Sequence, residues 1–452
     1  MRNRVFLISV AVVLAISLVV VGCDGWYPPS LYIVIGMSRS MTGPLAIIHT
    51  SAFGAIYPLY IQMVNDAGGI NVGGTPGWVH TKVYSDNSEE RRLIAYTNAL
   101  LDNVEDGEVC TIFGPTSAHM IDVMAPITNN GECVLMTAEG GAAFFHSDPT
   151  KLPSWPYVFV NSSFADWNQL PVLAQMLAEA HQACYGGNAT PTAYIFWQDD
   201  AHGLDYLNEA NIFFPANGIT IVGNASVLDT LSPDYATLVA TANATSPDVV
   251  CLFCYPDEVC GLTEAAIGPP TYNFDAWVTG PGGNFGWFGG PGGVGVAAEG
   301  VICFATANNK TSEDMEWLFN DVLEPEVGLE GLDFWGHPLY WAALQIWQNA
   351  VEEVGQVGEP AGDFLRLVVD QDELRDELAS YNSYANGVDT VLGRTWYTMF
   401  GDGGGILAYE CHPGEVGQWQ DGYVEIIGYG NITDDLPNYV VTANFTYPKP
   451  VW

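Results

Sequence analysis

The clearest strand-turn-helix pattern in the sequence is Val109-Cys-Thr-Ile-Phe-Gly-Pro-Thr-Ser-Ala-His-Met-Ile-Asp-Val-Met124. It begins with a short β-prone run that ends at a turn signal. The following apolar residues recur at the spacing of one helical face, which predicts a helix: Met120, Val123, Met124 and Ile127. The hydroxyls of Thr116 and Ser117 therefore stand where a strand passes into a helix.

This strand-to-helix turn has two interpretations. Unpaired backbone N–H groups at a helix start form a cradle for an anionic group such as a carboxylate. Thr116 or Ser117 can equally act only as a helix cap, as such residues commonly do. The turn alone favours the cap, and the rest of the chain shifts the balance toward the anion site.

Length and composition narrow the class of protein. A chain of 452 residues exceeds the size at which one core keeps growing, so two lobes are expected. A hydrophobic fraction of 48% excludes general disorder. The 52 acidic residues outnumber 12 basic ones, giving a net charge of −40. Such a surface repels nucleic-acid phosphates and suits an extracellular or saline setting.

The N-terminus predicts export. Arg2 and Arg4 precede an apolar run from residue 5 to residue 21, which is typical of a signal peptide. Val20-Val-Gly-Cys23 resembles a lipobox, so residues 1–23 are expected to be a signal peptide and Cys23 the lipid anchor. An uncleaved anchor helix is the alternative, because the run is just long enough to span a bilayer. In both cases the body lies outside the cytoplasm.

The cysteines and sequons fit an exported protein. An even number of cysteines remains after Cys23, which favours disulfides, with Cys110–Cys133 as the expected bridge. Cys251 and Cys254 with Cys260 resemble a zinc motif, but no histidine lies close by, so disulfides are favoured. Sequons typical of glycoproteins occur at Asn161, Asn188, Asn224, Asn243, Asn309, Asn431 and Asn444.

Strands and helices alternate along most of the chain, in two runs. The first run extends from residue 32 to residue 136, and the second starts near residue 170 after a proline-rich break. This pattern predicts an α/β protein with two doubly wound parallel-sheet lobes. In such sheets ligands bind beyond the carboxyl ends of the strands, so a cleft between two lobes suits one small molecule.

Enzymatic chemistry has no support in the sequence. Ser117 and His119 are two residues apart at a helix start and do not face each other. No nucleophile elbow and no His-Glu-x-x-His motif is present. The glycine-rich segment 280–293 lacks the Gly-Lys-Ser/Thr of a phosphate loop, which excludes nucleotide binding of that type. We therefore expect no catalytic residue, no cofactor and no resident metal.

Several short motifs, taken together, resemble one family. They are Thr42-Gly-Pro-Leu-Ala46, Asn65-Asp-Ala-Gly-Gly-Ile70, Gly114-Pro-Thr-Ser-Ala118, Gln198-Asp-Asp-Ala-His-Gly203, Ala298-Glu-Gly300, Asn386-Gly-Val-Asp-Thr-Val-Leu-Gly393 and Tyr447-Pro-Lys-Pro-Val-Trp452. In this order and spacing they resemble type I periplasmic binding proteins of the branched-chain amino acid (Leu/Ile/Val) class, lipoproteins that serve ABC transporters. The likeness covers nearly the whole mature chain.

The resemblance implies lobes made of discontinuous segments, joined by a hinge of three crossovers. The crossovers are expected near Tyr157–Ser162, Phe304–Asn309 and Ala385–Thr390. Lobe 1 would then comprise residues 30–158 and 305–385, and lobe 2 residues 159–304 and 386–452.

The resemblance also implies a ligand site. Ser117 and the backbone of Ala138 and Gly140 would hold the ligand's carboxylate, with Thr116 beside them. His202 and Tyr255 would close over the ligand from lobe 2. Two departures from the family matter: Gly140 offers no hydroxyl, and Gly282 stands where an acidic residue usually pairs with the ligand's ammonium. Glu139 would supply that charge, or else the ligand is no ordinary amino acid.

The implied function is a membrane-tethered solute receptor that captures an amino-acid-like or carboxylate ligand for an ABC permease and its ATPase. The alternative is a cell-surface sensory or structural protein that uses the same cleft without transport. The acidity and the sequons suit both.

Overall fold

The structure is a computed structural model, and it describes residues 31–138, 155–162, 169–187, 189–227, 234–280, 282–359, 364–399, 403–411, 415–430 and 440–452. The predicted signal peptide with Cys23 lies outside the described residues, as do Glu139, Gly140, Asn188 and Asn431. Among the helices of the described residues, none has the length and apolar character needed to cross a membrane.

The first sheet forms the centre of lobe 1 and is mainly parallel. Its strands lie in the order β12-β13-β1-β4-β5-β6-β17-β16, with β3 on the other side of β1 and β2 beside β3. Their bounds are β1 Leu31–Arg39, β2 Ile70–Val72, β3 Thr75–Ser85, β4 Thr111–Phe113, β5 Leu135–Thr137, β6 Val158–Val160, β12 Gln356–Val357, β13 Leu365–Val368, β16 Tyr397–Met399 and β17 Gly405–Leu407.

The second sheet forms the centre of lobe 2. Its strands lie in the order β19-β18-β11-β10-β9-β7-β8, and β7 to β11 run parallel, whereas β18 and β19 form an antiparallel edge. The bounds are β7 Thr192–Gln198, β8 Thr220–Val227, β9 Val249–Phe253, β10 Ala276–Thr279, β11 Ile302–Phe304, β18 Val416–Gln420 and β19 Tyr423–Gly428. A separate hairpin pairs β14 Val388–Thr390 with β15 Gly393–Thr395.

Helices accompany the strands of both sheets. They are α1 Ala46–Ile48, α2 Ile56–Asp66, α3 Glu90–Glu105, α4 Ala118–Asn130, α5 Leu170–Tyr185, α6 Ala201–Ala216, α7 Tyr235–Ala244, α8 Pro256–Ile267, α9 Glu313–Glu316, α10 Glu324–Val327, α11 Gly336–Val354 and α12 Gln371–Ser380. A π-helical segment, His49–Phe53, follows α1 directly. The central strands β4, β5, β9 and β10 are buried throughout, as the parallel sheets predicted from the sequence require. The α/β fold with two parallel-sheet lobes is confirmed.

The third passage between the sheets differs in place from the predicted one. The sequence placed it near Ala385–Thr390, but β16 and β17 still belong to the first sheet. The reason is that β17 pairs in parallel with β6, while the Tyr397 hydroxyl donates to Asn161 Oδ1 at 2.8 Å. On this third passage the chain crosses to the second sheet between β17 and β18.

The predicted Cys110–Cys133 disulfide is absent, and every cysteine in the described residues is a free thiol. Register explains this. Ile112 pairs with Leu135, so the same register two residues back sets Cys110 opposite Cys133 on parallel neighbours. Equivalent Cβ atoms there point the same way, about 4.8 Å apart, whereas a disulfide needs about 3.5–4.5 Å. Burial raises the pKa of the Cys110 thiol to about 12, which keeps it protonated.

Candidate functional site

Thr116 and Ser117 lie together at the carboxyl edge of the first sheet, both buried. Thr116 Oγ1 accepts a hydrogen bond from the Ser40 N–H at 2.9 Å, which ties the end of β1 to the end of β4. Ser117 is the N-cap of α4, and its Oγ accepts from the Met120 N–H at 3.4 Å. This long bond is a weak cap. The remaining N–H groups at the start of α4 keep the anion-attracting character of a helix N-terminus.

A buried guanidinium lies behind this turn. Arg39 is 1% exposed, and its Nη1 donates to the Pro115 carbonyl at 2.8 Å. Its carbon Cζ lies 3.9 Å from the centre of the Phe53 ring. In the described part of the chain, Arg39 forms no salt bridge with a carboxylate. Its positive charge therefore adds to the potential at the start of α4.

The next strand end continues the same edge. Ala138 directly follows β5 and is buried. It lies beside the β4 turn because β4 and β5 are paired, with Phe113 opposite Met136. The predicted partners Glu139 and Gly140 follow it in sequence.

His202 and Tyr255 meet at the carboxyl edge of the second sheet. Their rings are stacked with centres 5.2 Å apart and an interplanar angle of 15°. Asp200, the N-cap of α6, positions both elements: Oδ1 accepts from the Gly203 N–H at 3.1 Å and Oδ2 from the Tyr255 hydroxyl at 2.7 Å. Burial lowers the pKa of His202, and the nearby Asp200 carboxylate opposes that shift only in part.

A cavity of about 250 Å³ lies between the two edges. Helices α4 and α6 come into contact across the cleft. Lobe 1 contributes mainly apolar side chains and lobe 2 mainly acidic ones, and the lining residues are Pro44, Leu45, Ile47, Ser88, His119, Met120, Gln198, Asp199, Asp200, Tyr255, Asp257 and Glu258. Of the described residues predicted for the site, Tyr255 is among the lining residues, and Thr116, Ser117, Ala138 and His202 are not.

The acidic residues of lobe 2 were missed by sequence reasoning. Asp257 and Glu258 occupy the first turn of α8, and Asp200 caps α6, so both of these helix starts carry their own negative charge. The first turn of α4 carries none. Their position after a strand could have identified them as candidates. Asp199 and Asp200 follow β7 just as Thr116 and Ser117 follow β4. The carboxylates that line the cavity therefore all belong to lobe 2.

Gly282 is held by its backbone geometry. Its φ is +119°, and a Cβ there would lie 2.8 Å from Pro256 Cα. Its N–H donates to Asn284 Oδ1 at 2.9 Å. A side chain at this position would strain the turn, which explains why an acidic residue is not placed here.

The sequence matches the family model described as periplasmic binding protein over residues 32–362. The chain therefore belongs to the periplasmic binding protein family. No match was found among curated proteins.

Solved structures show the same fold. The leucine-binding protein LivK of Thermotoga maritima is 16% identical with a TM-score of 0.64, covering 88% of this chain and 99% of its own. LivJ of Streptococcus pneumoniae, solved with isoleucine, is 14% identical with a TM-score of 0.63 and the same coverage. A Rhodopseudomonas palustris solute-binding protein, solved with 3,4-dihydroxybenzoic acid, is 14% identical with a TM-score of 0.66, covering 89% and 98%. At these identities the likeness concerns the fold.

Proposed function

We propose that the protein is an extracytoplasmic solute-binding receptor of an ABC importer, and that it holds an amino-acid-like ligand between its lobes. The observation that carries this proposal is the uneven charge of the cleft, whose lining carboxylates all come from lobe 2. Lobe 1 offers a helix N-terminus free of acidic residues, backed by Arg39. Lobe 2 offers Asp200, Asp257 and Glu258. A zwitterion complements both sides at once.

This uneven distribution of charge between the two lobes also orients the ligand. Its carboxylate faces the turn at Thr116 and Ser117 and the backbone that follows Ala138, including Gly140. Its ammonium faces the lobe 2 carboxylates, with Glu139 adding charge from lobe 1. An apolar side chain lies against Leu45, Ile47 and Met120, which supply the apolar part of the lining. His202 supports Tyr255 from behind. The acids of lobe 2 replace the acidic partner that Gly282 does not provide.

The ligand leaves the cleft unchanged. Closure of the two lobes captures it, and reopening at the membrane releases it to a permease driven by its ATPase. The predicted lipid anchor at Cys23 holds the receptor near that permease. The family and the solved ABC transporter substrate-binding proteins with this fold support the assignment.

A thermal-shift series tests this proposal. Leucine, isoleucine and valine are compared with 4-methylpentanoate, which lacks the ammonium, and isoamylamine, which lacks the carboxylate. We expect the amino acids to raise the melting temperature, since a ligand that binds only the folded state stabilises it. Neither truncated compound should match them, because each leaves one side of the cleft unpaired.

Asp200→Asn is the sharpest variant, because asparagine keeps the helix cap while it loses the charge and the oxygen that accepts from the Tyr255 hydroxyl. Amino-acid affinity should fall roughly tenfold to a hundredfold. Asp102→Asn, on the outer surface of α3, is the matched control and should bind normally. A larger response to 4-methylpentanoate than to leucine would overturn the ammonium assignment. A lack of response to every compound would favour the sensory or structural alternative.

A further inference from the structure

A second group of polar side chains converges at the opposite end of lobe 2. His181 belongs to the last turns of α5, Asp248 directly precedes β9, and Asp275 directly precedes β10. The donor atoms of the three side chains all lie within 4.8 Å of one another. Since the cleft lies at the carboxyl ends of β9 and β10, this cluster occupies the far edge of the sheet.

The histidine ring is aimed into this cluster. His181 is 6% exposed, and its Nδ1 lies 4.0 Å from Asp275 Oδ2. The same nitrogen lies 2.8 Å from the Tyr447 hydroxyl oxygen, which comes from the C-terminal segment. The Tyr185 ring, one helical turn on, lies 4.7 Å from the imidazole and restricts its rotation. The nitrogen is thus fixed on the side where the two carboxylates lie.

Neighbouring groups also orient both carboxylates. Asp248 Oδ2 accepts hydrogen bonds from the Thr192 N–H at 2.7 Å and the Thr192 hydroxyl at 2.8 Å. Within the described residues, the hydrogen bonds to the Asp248 carboxylate engage Oδ2, and Oδ1 is the oxygen that can ligate a metal. The Tyr185 hydroxyl hydrogen-bonds to Asp275. Hydrogen bonds that fix the orientation of ligating carboxylates in this way are typical of metal sites in proteins.

The cluster lacks a permanent positive charge. In the described residues, neither Asp248 nor Asp275 forms a salt bridge with lysine or arginine. Lys449 is close in sequence to Tyr447, but its Nζ donates to the Pro450 carbonyl at 2.9 Å and lies 3.5 Å from the centre of the Trp452 ring. Two carboxylates this close repel each other unless a cation lies between them.

We infer that His181, Asp248 and Asp275 form a binding site for a divalent transition metal of the zinc class. These side chains would give zinc one nitrogen and two oxygen ligands at about 2.0–2.2 Å and leave its fourth coordination position for water. The imidazole favours such a metal over calcium, which prefers oxygen ligands alone. The donor atoms need to approach one another by about 1 Å to reach tetrahedral spacing.

Metal binding changes the role of Tyr447. His181 Nδ1 would then coordinate the metal in place of its hydrogen bond with the Tyr447 hydroxyl. The bound metal would link α5 to the starts of β9 and β10. This site is independent of the ligand cleft.

The test is a Zn²⁺ titration of the chelator-treated protein in competition with a chromogenic chelator. We expect one equivalent to bind with a dissociation constant of about 1 µM or lower. Asp275→Asn and His181→Gln should each weaken binding more than about tenfold. Tyr447→Phe should keep it, because Nδ1 loses only a competing hydrogen-bond partner. Asp102→Asn serves as the control.

Cobalt gives a readout on the unaltered protein, in case a variant fails to fold. A four-coordinate Co²⁺ complex has intense visible bands, and Zn²⁺ should displace them stoichiometrically. Absence of tight binding, or binding that both Asp275→Asn and His181→Gln leave intact, would overturn the proposal. In that event the cluster is a histidine paired with two carboxylates.

Discussion

Asp333 is the most unusual single residue near the junction of the lobes. It is completely buried, and its Oδ1 accepts from Asn284 Nδ2 at 2.6 Å and the Trp335 N–H at 3.0 Å. Its own N–H donates to His337 Nδ1 at 3.3 Å, while His337 Nε2 donates to the Ser51 carbonyl at 3.1 Å. Burial raises the pKa of Asp333 to about 7 and lowers that of His337 to about 4.

The Asp333 shift predicts a pH dependence of stability. In the unfolded chain the carboxyl loses its proton near its ordinary pKa of 3.8, but in the folded chain only near pH 7. The stabilising contribution is therefore complete below about pH 4 and is lost as pH rises to about 7. The unfolding free energy of the wild type should fall by roughly 2 kcal/mol relative to Asp333→Asn between pH 5 and pH 8.

Urea denaturation of both proteins at the two pH values measures this difference. His337 contributes in the opposite direction, since its stabilisation is lost as pH falls from about 6.5 to about 4. His337 is present in both proteins, so the part of its contribution that is independent of the Asp333 charge cancels in the comparison. A constant difference across the range would show that Asp333 ionises normally in the folded chain.

Gly282 allows a second test at the scale of one residue. Gly282→Ala places a Cβ 2.8 Å from Pro256 Cα at a φ of +119°. Gly74→Ala meets a positive φ of +88° with open space around the Cβ. We expect Gly282→Ala to destabilise by about 1–3 kcal/mol more than Gly74→Ala in chemical denaturation, since the control has the strain without the collision. If both variants lost the same unfolding free energy, the turn at Gly282 would have to move enough to accommodate the added Cβ.

At the scale of elements, α11 is the buried helix that holds lobe 1 together. Most of its residues are buried, and Trp347 Nε1 donates to Thr111 Oγ1 on β4 at 3.0 Å. Trp347→Phe removes that donor, leaves the threonine hydroxyl with one partner fewer and opens a cavity. It should cost about 2–4 kcal/mol of unfolding free energy. Trp78→Phe, at a side chain 41% exposed on β3, should cost far less in the same urea experiment.

Local sequence patterns predicted where helices and strands occur, but they did not predict which strands pair. The strand-turn-helix at residues 109–124 was readable because apolar spacing and a Gly-Pro turn are local signals. The pairing of β17 with β6 could not be predicted from local signals, because it joins residues that are far apart in sequence. His181, Asp248 and Asp275 were missed for the same reason: they share no motif and meet only when α5 packs beside the second sheet.

In the candidate site, too, some residues could be predicted from motifs, whereas others could be identified only from the fold. The motif around Thr116 and Ser117 pointed to the carboxyl edge of the first sheet, and the resemblance pointed to His202 and Tyr255. The acidic lining at Asp257 and Glu258 was invisible as a site signal, because acidic residues commonly occupy the first turn of any helix. Only the facing edges of the two sheets show that those charges line a cavity.

At the scale of the whole molecule, the net charge of −40 dominates solution behaviour. Self-repulsion among the acidic residues disfavours the compact state, and salt screens it. The melting temperature should therefore rise by several degrees between low-salt buffer and about 1 M NaCl. Differential scanning calorimetry measures this, and KCl at equal ionic strength should act alike. A melting temperature that falls with salt would show that attractive ion pairs outweigh the repulsion.

The place of Asn161 has a consequence for how the chain matures. Its side chain is 1% exposed, with Nδ2 directed at the Thr137 carbonyl and Oδ1 accepting from Tyr397, so this sequon is sealed once lobe 1 has formed. An oligosaccharide transferred to the nascent polypeptide would block the docking of Tyr397 and the strand that carries it. Native protein thus emerges only from molecules that escape modification at this asparagine. Sugar at Asn161 would mark a chain that never finished folding, whereas the exposed Asn224 and Asn444 can carry it freely.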